Sequence, residues 1–185
     1  IGQKTGWDTL SSDTHLDKLL RSLVLSRLGH FGEEAVVREA RLRFARHVKT
    51  QSLDPNLRGA VYTIVAEHGA KNELNQLRDL YKKSDLQEEK VRLLRALTRF
   101  RAPTEIKKVL HFSLSAEVRA QDTYVILAGF GSNAVARDTN WNFVRARWKD
   151  VAKRYYGGSL GLLGHILEGA TMGFRMCVNF LNRIP

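Results

Sequence analysis

Six histidines and a single cysteine are the side chains of this sequence best suited to hold a metal or attack a substrate, so their spacing is read first. A peptidase zinc site sets two histidines one helical turn apart with a glutamate base beside them, as in H-E-x-x-H, because residues i and i+4 share a helix face. His15, His30, His47, His68, His111 and His165 are scattered: none is followed by glutamate, and no two lie four residues apart. They read as cap or surface histidines. Glu67-His68 matches part of an inverted zinc motif, but the residue three before Glu67 is Ile64, so the other ligand is missing. Gly129-Phe130-Gly131 and Gly157-Gly158 lack the preceding strand and following Lys-Ser/Thr of a phosphate loop and read as helix stops. Cys177 sits in an apolar tail with no histidine nearby and reads as a buried or incidental thiol. One cysteine excludes an internal disulfide framework and a multi-cysteine zinc site, and suits a reducing compartment. The residues therefore point to no catalytic residue, no metal ligand and no cofactor in this chain.

Charge is the remaining signal. The 185 residues carry 30 Lys+Arg against 19 Asp+Glu, a formal charge of +11, which attracts polyanions at long range. Arg38, Arg41, Arg43 and Arg46 cluster in one segment, and Arg145, Arg147, Lys149, Lys153 and Arg154 in another. No RNA-binding sheet signature, KH loop or zinc finger accompanies them. Trp141 and Trp148 share an apolar stripe and are expected in the core rather than stacked on bases. The basic segments read first as solvated faces, with a peptide-attracting surface and adventitious nucleic-acid affinity left open.

The elements that would position these side chains are helical throughout. Asp13 or Thr14 caps a helix carrying Leu16, Leu19, Leu20, Leu23 and Leu28, with Gly29 as its stop. A second helix, from Glu33 to Lys49, carries Val37, Ala40, Phe44 and Val48 on one stripe. Asp54-Pro55 is a cap followed by proline at the first helical position, opening a helix to His68. Further helices are expected at Lys71–Lys83, from a Ser84/Gln87 capping box to Phe100, and from Pro103 to Phe112. Beyond them, Ser115 precedes a helical segment ending at Gly131, Asp138–Tyr155 forms one helix, and Leu160–Met172 is weakly helical. No period-two run bounded by hairpin turns is present. Hydrophobic residues make up 43%, enough for a packed core, and His165 and Glu168 interrupt the one apolar run near spanning length, Ser159–Phe174. Opening on Ile1 rather than Met, the chain reads as a soluble piece of something longer. Helices of this length joined by short loops pack antiparallel to their neighbours, and so many in a row favour a stacked array of hairpins over a closed bundle. The expected fold is all-α, a right-handed α-solenoid of antiparallel helix pairs of the HEAT/armadillo kind.

Several stretches, in order, carry a resemblance. They are His15-Leu16-Asp17-Lys18-Leu19-Leu20-Arg21 leading to Leu28-Gly29-His30-Phe31-Gly32, Glu39-Ala40-Arg41 with Arg43-Phe44, and Asp54-Pro55-Asn56-Leu57-Arg58 with Val61-Tyr62 and His68-Gly69. Further on come Gln87-Glu88-Glu89-Lys90, Glu117-Val118-Arg119-Ala120-Gln121-Asp122, and Trp141-Asn142-Phe143 with Trp148 and Arg154-Tyr155. From about Gly6 to Phe174 the sequence resembles the C-terminal helical domain of puromycin-sensitive-type zinc aminopeptidases. That resemblance implies a HEAT-like stack of helix pairs forming a bowl over an active site that lies in an earlier, zinc-binding domain. The domain would act as a noncatalytic lid that admits peptides and contacts the substrate beyond the cleaved residue. It further implies cytoplasmic localisation, with zinc in the parent enzyme's catalytic domain only, and that domain and peptide substrates as partners.

On this reading residues 1–12 are a linker, 13–174 the helical array and 175–185 an atypical tail, all within one domain. The tail departs from the family pattern, so the array is expected to be incomplete at that end and prone to self-association. Arg119, Gln121 and Asp122 are the candidate peptide contacts, near a helix start whose N–H groups favour a carboxylate, with salt bridging or capping as the alternative role. Two other functions stay open: a stand-alone HEAT-like interaction scaffold and a basic nucleic-acid-binding module. No membrane partner is expected.

Overall fold

A computed structural model describes residues 6–155 and 160–172. Among the described residues there are ten α-helices, two short 3-10 turns and no strand. The chain divides into two compact units, Ile1–Glu105 and Ile106–Pro185. The tail from 175, with Cys177, lies outside the described residues, as do Gly157 and Gly158.

The first unit holds α1 (His15–His30), α2 (Glu34–Thr50), α3 (Pro55–Glu67), α4 (Lys71–Lys83) and α5 (Gln87–Leu97). The α1 start is a reciprocal capping box. Thr14 Oγ1 accepts from the Asp17 N–H, and the Asp17 carboxylate accepts from the Thr14 N–H at 2.9 Å. Gly29 is not its stop. Gly29 is buried inside the helix and Gly32, at φ +80, takes the left-handed position that ends it. A methyl group at Gly29 would collide with Ile64, so the missing side chain lets α1 approach α3. Ser84 likewise serves as the α4 C-cap, and α5 starts at Gln87 and ends at Leu97, short of Phe100.

Packing in this unit alternates. α3 contacts α1, α2, α4 and α5, whereas α1 meets α2 and α3. Thr9, just before α1, donates to the Asp54 cap of α3 at 2.8 Å, while His30 at the far end of α1 pairs with Glu67 at the far end of α3 (2.8 Å). The two helices therefore run parallel. α5 runs the same way as α3, with Glu89 beside Tyr62 (2.7 Å) and Arg101 beside Glu67 (3.8 Å). α2 is antiparallel to α3: Arg41 on its early half reaches the His68 carbonyl, and His47 near its end meets Tyr62. The core is built on α3, which buries Leu57, Val61 and Ile64 on one side and Tyr62 and Ala66 on the other.

Most of the leucine stripe that marks α1 in the sequence lies outside the core. Leu16, Leu19, Leu20 and Leu23 are 74%, 52%, 46% and 55% exposed, and the helix buries Arg21, Leu25 and Gly29 instead. Arg21 enters because Asp13 pairs with it at 2.8 Å. On α2 the expected stripe holds at Ala40 and Phe44, and Arg38, Arg41 and Arg46 are solvated as expected.

α6 (Pro103–Ser113) carries the chain from the first unit into the second. There follow a 3-10 turn at Ala120–Asp122, α7 (Thr123–Gly129), a 3-10 turn at Phe130–Ser132, α8 (Arg137–Ala146), α9 (Trp148–Lys153) and α10 (Leu160–Thr171). The single helix expected over Asp138–Tyr155 is broken at Arg147, whose φ of −109° and ψ of 20° leave the helical range. Trp141 lies in α8 and Trp148 opens α9 beyond the break, and both indoles are half-buried, not in the core as expected. Gly131 is no stop either: it packs backbone to backbone on Gly169 of α10, and Gly169 in turn lies on Ala128. Glycine on both sides is what allows α10 to sit this close to α7.

Candidate functional site

The three sequence candidates fall on one turn of the second unit. Val118 is buried and anchors the strand-like approach at Arg119 (φ −60°, ψ 144°), after which Ala120–Asp122 closes a 3-10 turn leading into α7. Arg119 donates from Nε and Nη2 to the two carboxylate oxygens of Asp122, at 2.8 and 3.2 Å, a bidentate fork that fixes the guanidinium plane. Asp122 is buried, whereas the Arg119 side chain is 47% exposed and Gln121 is exposed. The turn thus presents a planar cation and an amide at the surface, held from beneath by a carboxylate.

Arg154 holds that turn in place. Its guanidinium donates to the carbonyls of Leu114, Ser115 (2.7 Å) and Val118 (3.0 Å) and to Thr123 Oγ1 (3.0 Å). Thr123 Oγ1 itself donates to the Ser113 carbonyl at 3.0 Å. One side chain from the end of α9 therefore satisfies three loop carbonyls that no helix supplies with donors. Sequence reasoning counted Arg154 with a solvated basic face; its spacing on the basic segment gave no sign of a clamp. Beside it, burial pushes the Tyr155 phenol up to about 12. Asn140 of α8 is fully buried and donates from Nδ2 to the Leu127 carbonyl at 2.9 Å, pinning α8 to α7.

The first unit contains a polar relay that sequence reasoning missed. The Leu53 N–H donates to His47 Nδ1 (3.2 Å), which leaves the proton on Nε2 to be donated to Tyr62 Oη (2.8 Å). Tyr62 O–H then donates to Glu89 Oε1 (2.7 Å), and Arg58 (3.6 Å) and Arg92 flank the carboxylate. His47 is buried, not the cap or surface residue expected. Burial, aided by the nearby Arg58 cation, holds its imidazole below the usual histidine range. Burial and the Glu89 carboxylate push the Tyr62 phenol far above its ordinary value. With both imidazole nitrogens engaged, the relay joins α2, α3 and α5 through buried hydrogen bonds. An isolated His-Tyr-Glu set at wide sequence separation carries no spacing signal, so only the fold reveals it.

Among the described residues no three His, Cys, Asp or Glu side chains converge. The His68 ring, just past the end of α3, reaches across from Nε2 to the Gly29 carbonyl of α1 at 2.7 Å, and His30 is taken by Glu67. A groove of about 620 Å³ lies along α2, lined by Val37, Leu42 and Val65 together with Arg38, Arg41 and Asn72. Among the described residues no helix is long and apolar enough to cross a membrane.

Known proteins resemble this chain over most of its length. The ERAP1-like C-terminal domain family matches residues 1–179. Aminopeptidase M1-A of rice is 35% identical over 163 residues, covering 85% of this chain and 18% of the rice protein. Aminopeptidase M1 of Arabidopsis thaliana is 33% identical over the same length and shares. Aminopeptidase 2 of Candida albicans is 25% identical over 175 residues, 93% of this chain and 19% of the yeast protein. The chain thus spans less than a fifth of the length of these curated relatives. With residues 1–179 matched, this chain belongs to the ERAP1-like C-terminal domain family of M1 aminopeptidases.

Proposed function

We propose that this chain is the noncatalytic lid and peptide-binding domain of a zinc aminopeptidase that removes N-terminal residues from peptides. The observation that carries this reading is the match itself: nearly the whole chain aligns with a C-terminal domain while spanning only 18% of the rice enzyme. The zinc motif is absent from the sequence, so zinc and bond cleavage belong to the catalytic part of the parent polypeptide, which is the chain's partner in cis. Residues 1–185 act as one accessory domain in the cytoplasm.

The stacking of α1, α3 and α5 as a parallel layer, with α2 antiparallel to α3, supports a HEAT-like solenoid. Such a stack adds contact surface with every repeat, which suits an extended ligand. Arg119 and Gln121 contact the peptide beyond the cleaved residue; Asp122, through its fork, orients Arg119 toward a substrate carboxylate. Fluorescence anisotropy of a labelled oligopeptide titrated with the purified chain tests this. Binding is expected to survive moderate salt and to weaken about tenfold in Arg119→Ala. Unchanged affinity in that variant removes the contact assignment. Binding of a labelled RNA alone, collapsing as salt rises, would instead make the basic α2 face the functional surface.

A further inference from the structure

The most informative unexplained feature is the outer face of α1. At helical periodicity the stripe Leu16, Leu19, Leu20 and Leu23 points about 170° from the stripe Arg21, Leu25 and Gly29 that α1 buries. α1 is apolar on the side it shows to solvent and buries an arginine, paired with Asp13, on the side it packs. An isolated surface helix has the reverse pattern.

α3 shows what the pattern means. It lies parallel to α1 in the same layer and is apolar on two opposite sides, with Ile64 toward Gly29 of α1 and Tyr62 toward Glu89 of α5. A helix with a neighbour on either hand needs two such faces. α1 has the second face, and the four leucines on it are exposed.

We infer that Leu16, Leu19, Leu20 and Leu23 form a docking face for a helix of the aminopeptidase polypeptide outside the span matched here, stacking on α1 as α1 stacks on α3. Two observations select this occupant. α1 and α5 meet α3 on its Ile64 and Tyr62 sides, so the same order carried one helix further falls on this leucine face, and more than four-fifths of the rice relative lies outside its matched 163 residues. The inference rests on the proposed function, since it takes the rest of an aminopeptidase as its partner.

The test uses this chain and, as probe, the rice Aminopeptidase M1-A polypeptide with its matched 163 residues removed. Leu16→Lys/Leu23→Lys and Leu19→Lys/Leu20→Lys alter only exposed side chains, and circular dichroism with a melting curve verifies that each variant folds. Leu86→Lys, at another exposed leucine, is the control. The expected result is that the chain binds the probe, that each double variant weakens binding at least about tenfold, and that the control does not. Probe binding that ignores both double variants overturns the face assignment and leaves the domain reading standing. No probe binding overturns both. Sedimentation showing a dimer of this chain that the double variants dissolve makes a second copy the occupant and overturns the inference.

Discussion

α1 and α3 run parallel, belong to the same layer and have similar lengths, yet they use their apolar residues in opposite ways. α3 buries Leu57, Val61 and Ile64 together with Tyr62 and Ala66, whereas α1 leaves four leucines in solvent and buries Arg21. The contrast teaches that a helix's sequence records all of its neighbours, including any that lie outside the structure. Apolar periodicity reports that a face is buried somewhere; it does not report against what.

The sharpest way to break this comparison is to delete equal apolar bulk from each helix. Ile64→Ala leaves a cavity between α3 and α1 and should cost about 2–5 kcal/mol, read from denaturant unfolding. Leu23→Ala, on the exposed stripe, sets the other end of that scale. Next in size is Gly29→Val: the added side chain must push into Ile64, and overpacking there should cost about 1–3 kcal/mol. If the valine were tolerated without loss, the close approach of α1 to α3 would be wrong.

A smaller effect comes through pH. His47 is held below its ordinary pKa of 6.5 in the fold, so below about pH 6.5 the unfolded chain takes up a proton that the native chain refuses. Stability should be undiminished by this group above pH 6.5 and should fall as pH drops beneath it. His47→Gln should flatten that part of the curve in a pH series of melting temperatures. A separate decline at more acid pH is expected from Asp17, whose carboxyl the Thr14 hydrogen bonds hold below its usual value of 3.8. The smallest effect is the one that sharpens the contrast most: Leu19→Ala and Leu23→Ala should each change stability by no more than about 0.5 kcal/mol. A loss comparable to that of Ile64→Ala would mean that the leucines are already covered in the isolated chain.

Local chemistry made much of this fold legible. The Asp13/Thr14 cap, the Asp54-Pro55 start of α3 and the apolar stripe of α2 are short-range signals, and each produced the element it announced. The errors arose where tertiary contact overrode a local sign. Gly29 and Gly131 read as stops because glycine commonly ends helices, but both serve close packing against another element. Arg147 carries no breaker chemistry, so the split between α8 and α9 was invisible. Arg119 and Asp122 stood out through the family-like stretch Glu117–Asp122 at an expected helix start, whereas the Arg154 clamp beneath their turn joins residues more than thirty positions apart and has no sequence signature.

In the proposed role, this chain changes what an aminopeptidase accepts and leaves the cutting to the catalytic part of the parent enzyme. Comparing hydrolysis of an oligopeptide and of a single aminoacyl amide by the truncated rice enzyme, with and without this chain, tests that directly. The chain alone, supplied with zinc, should hydrolyse neither substrate, and its addition should raise the ratio of peptide to amide cleavage. Hydrolysis by the chain alone, or a ratio that its addition leaves unchanged, would contradict the lid and peptide-binding role.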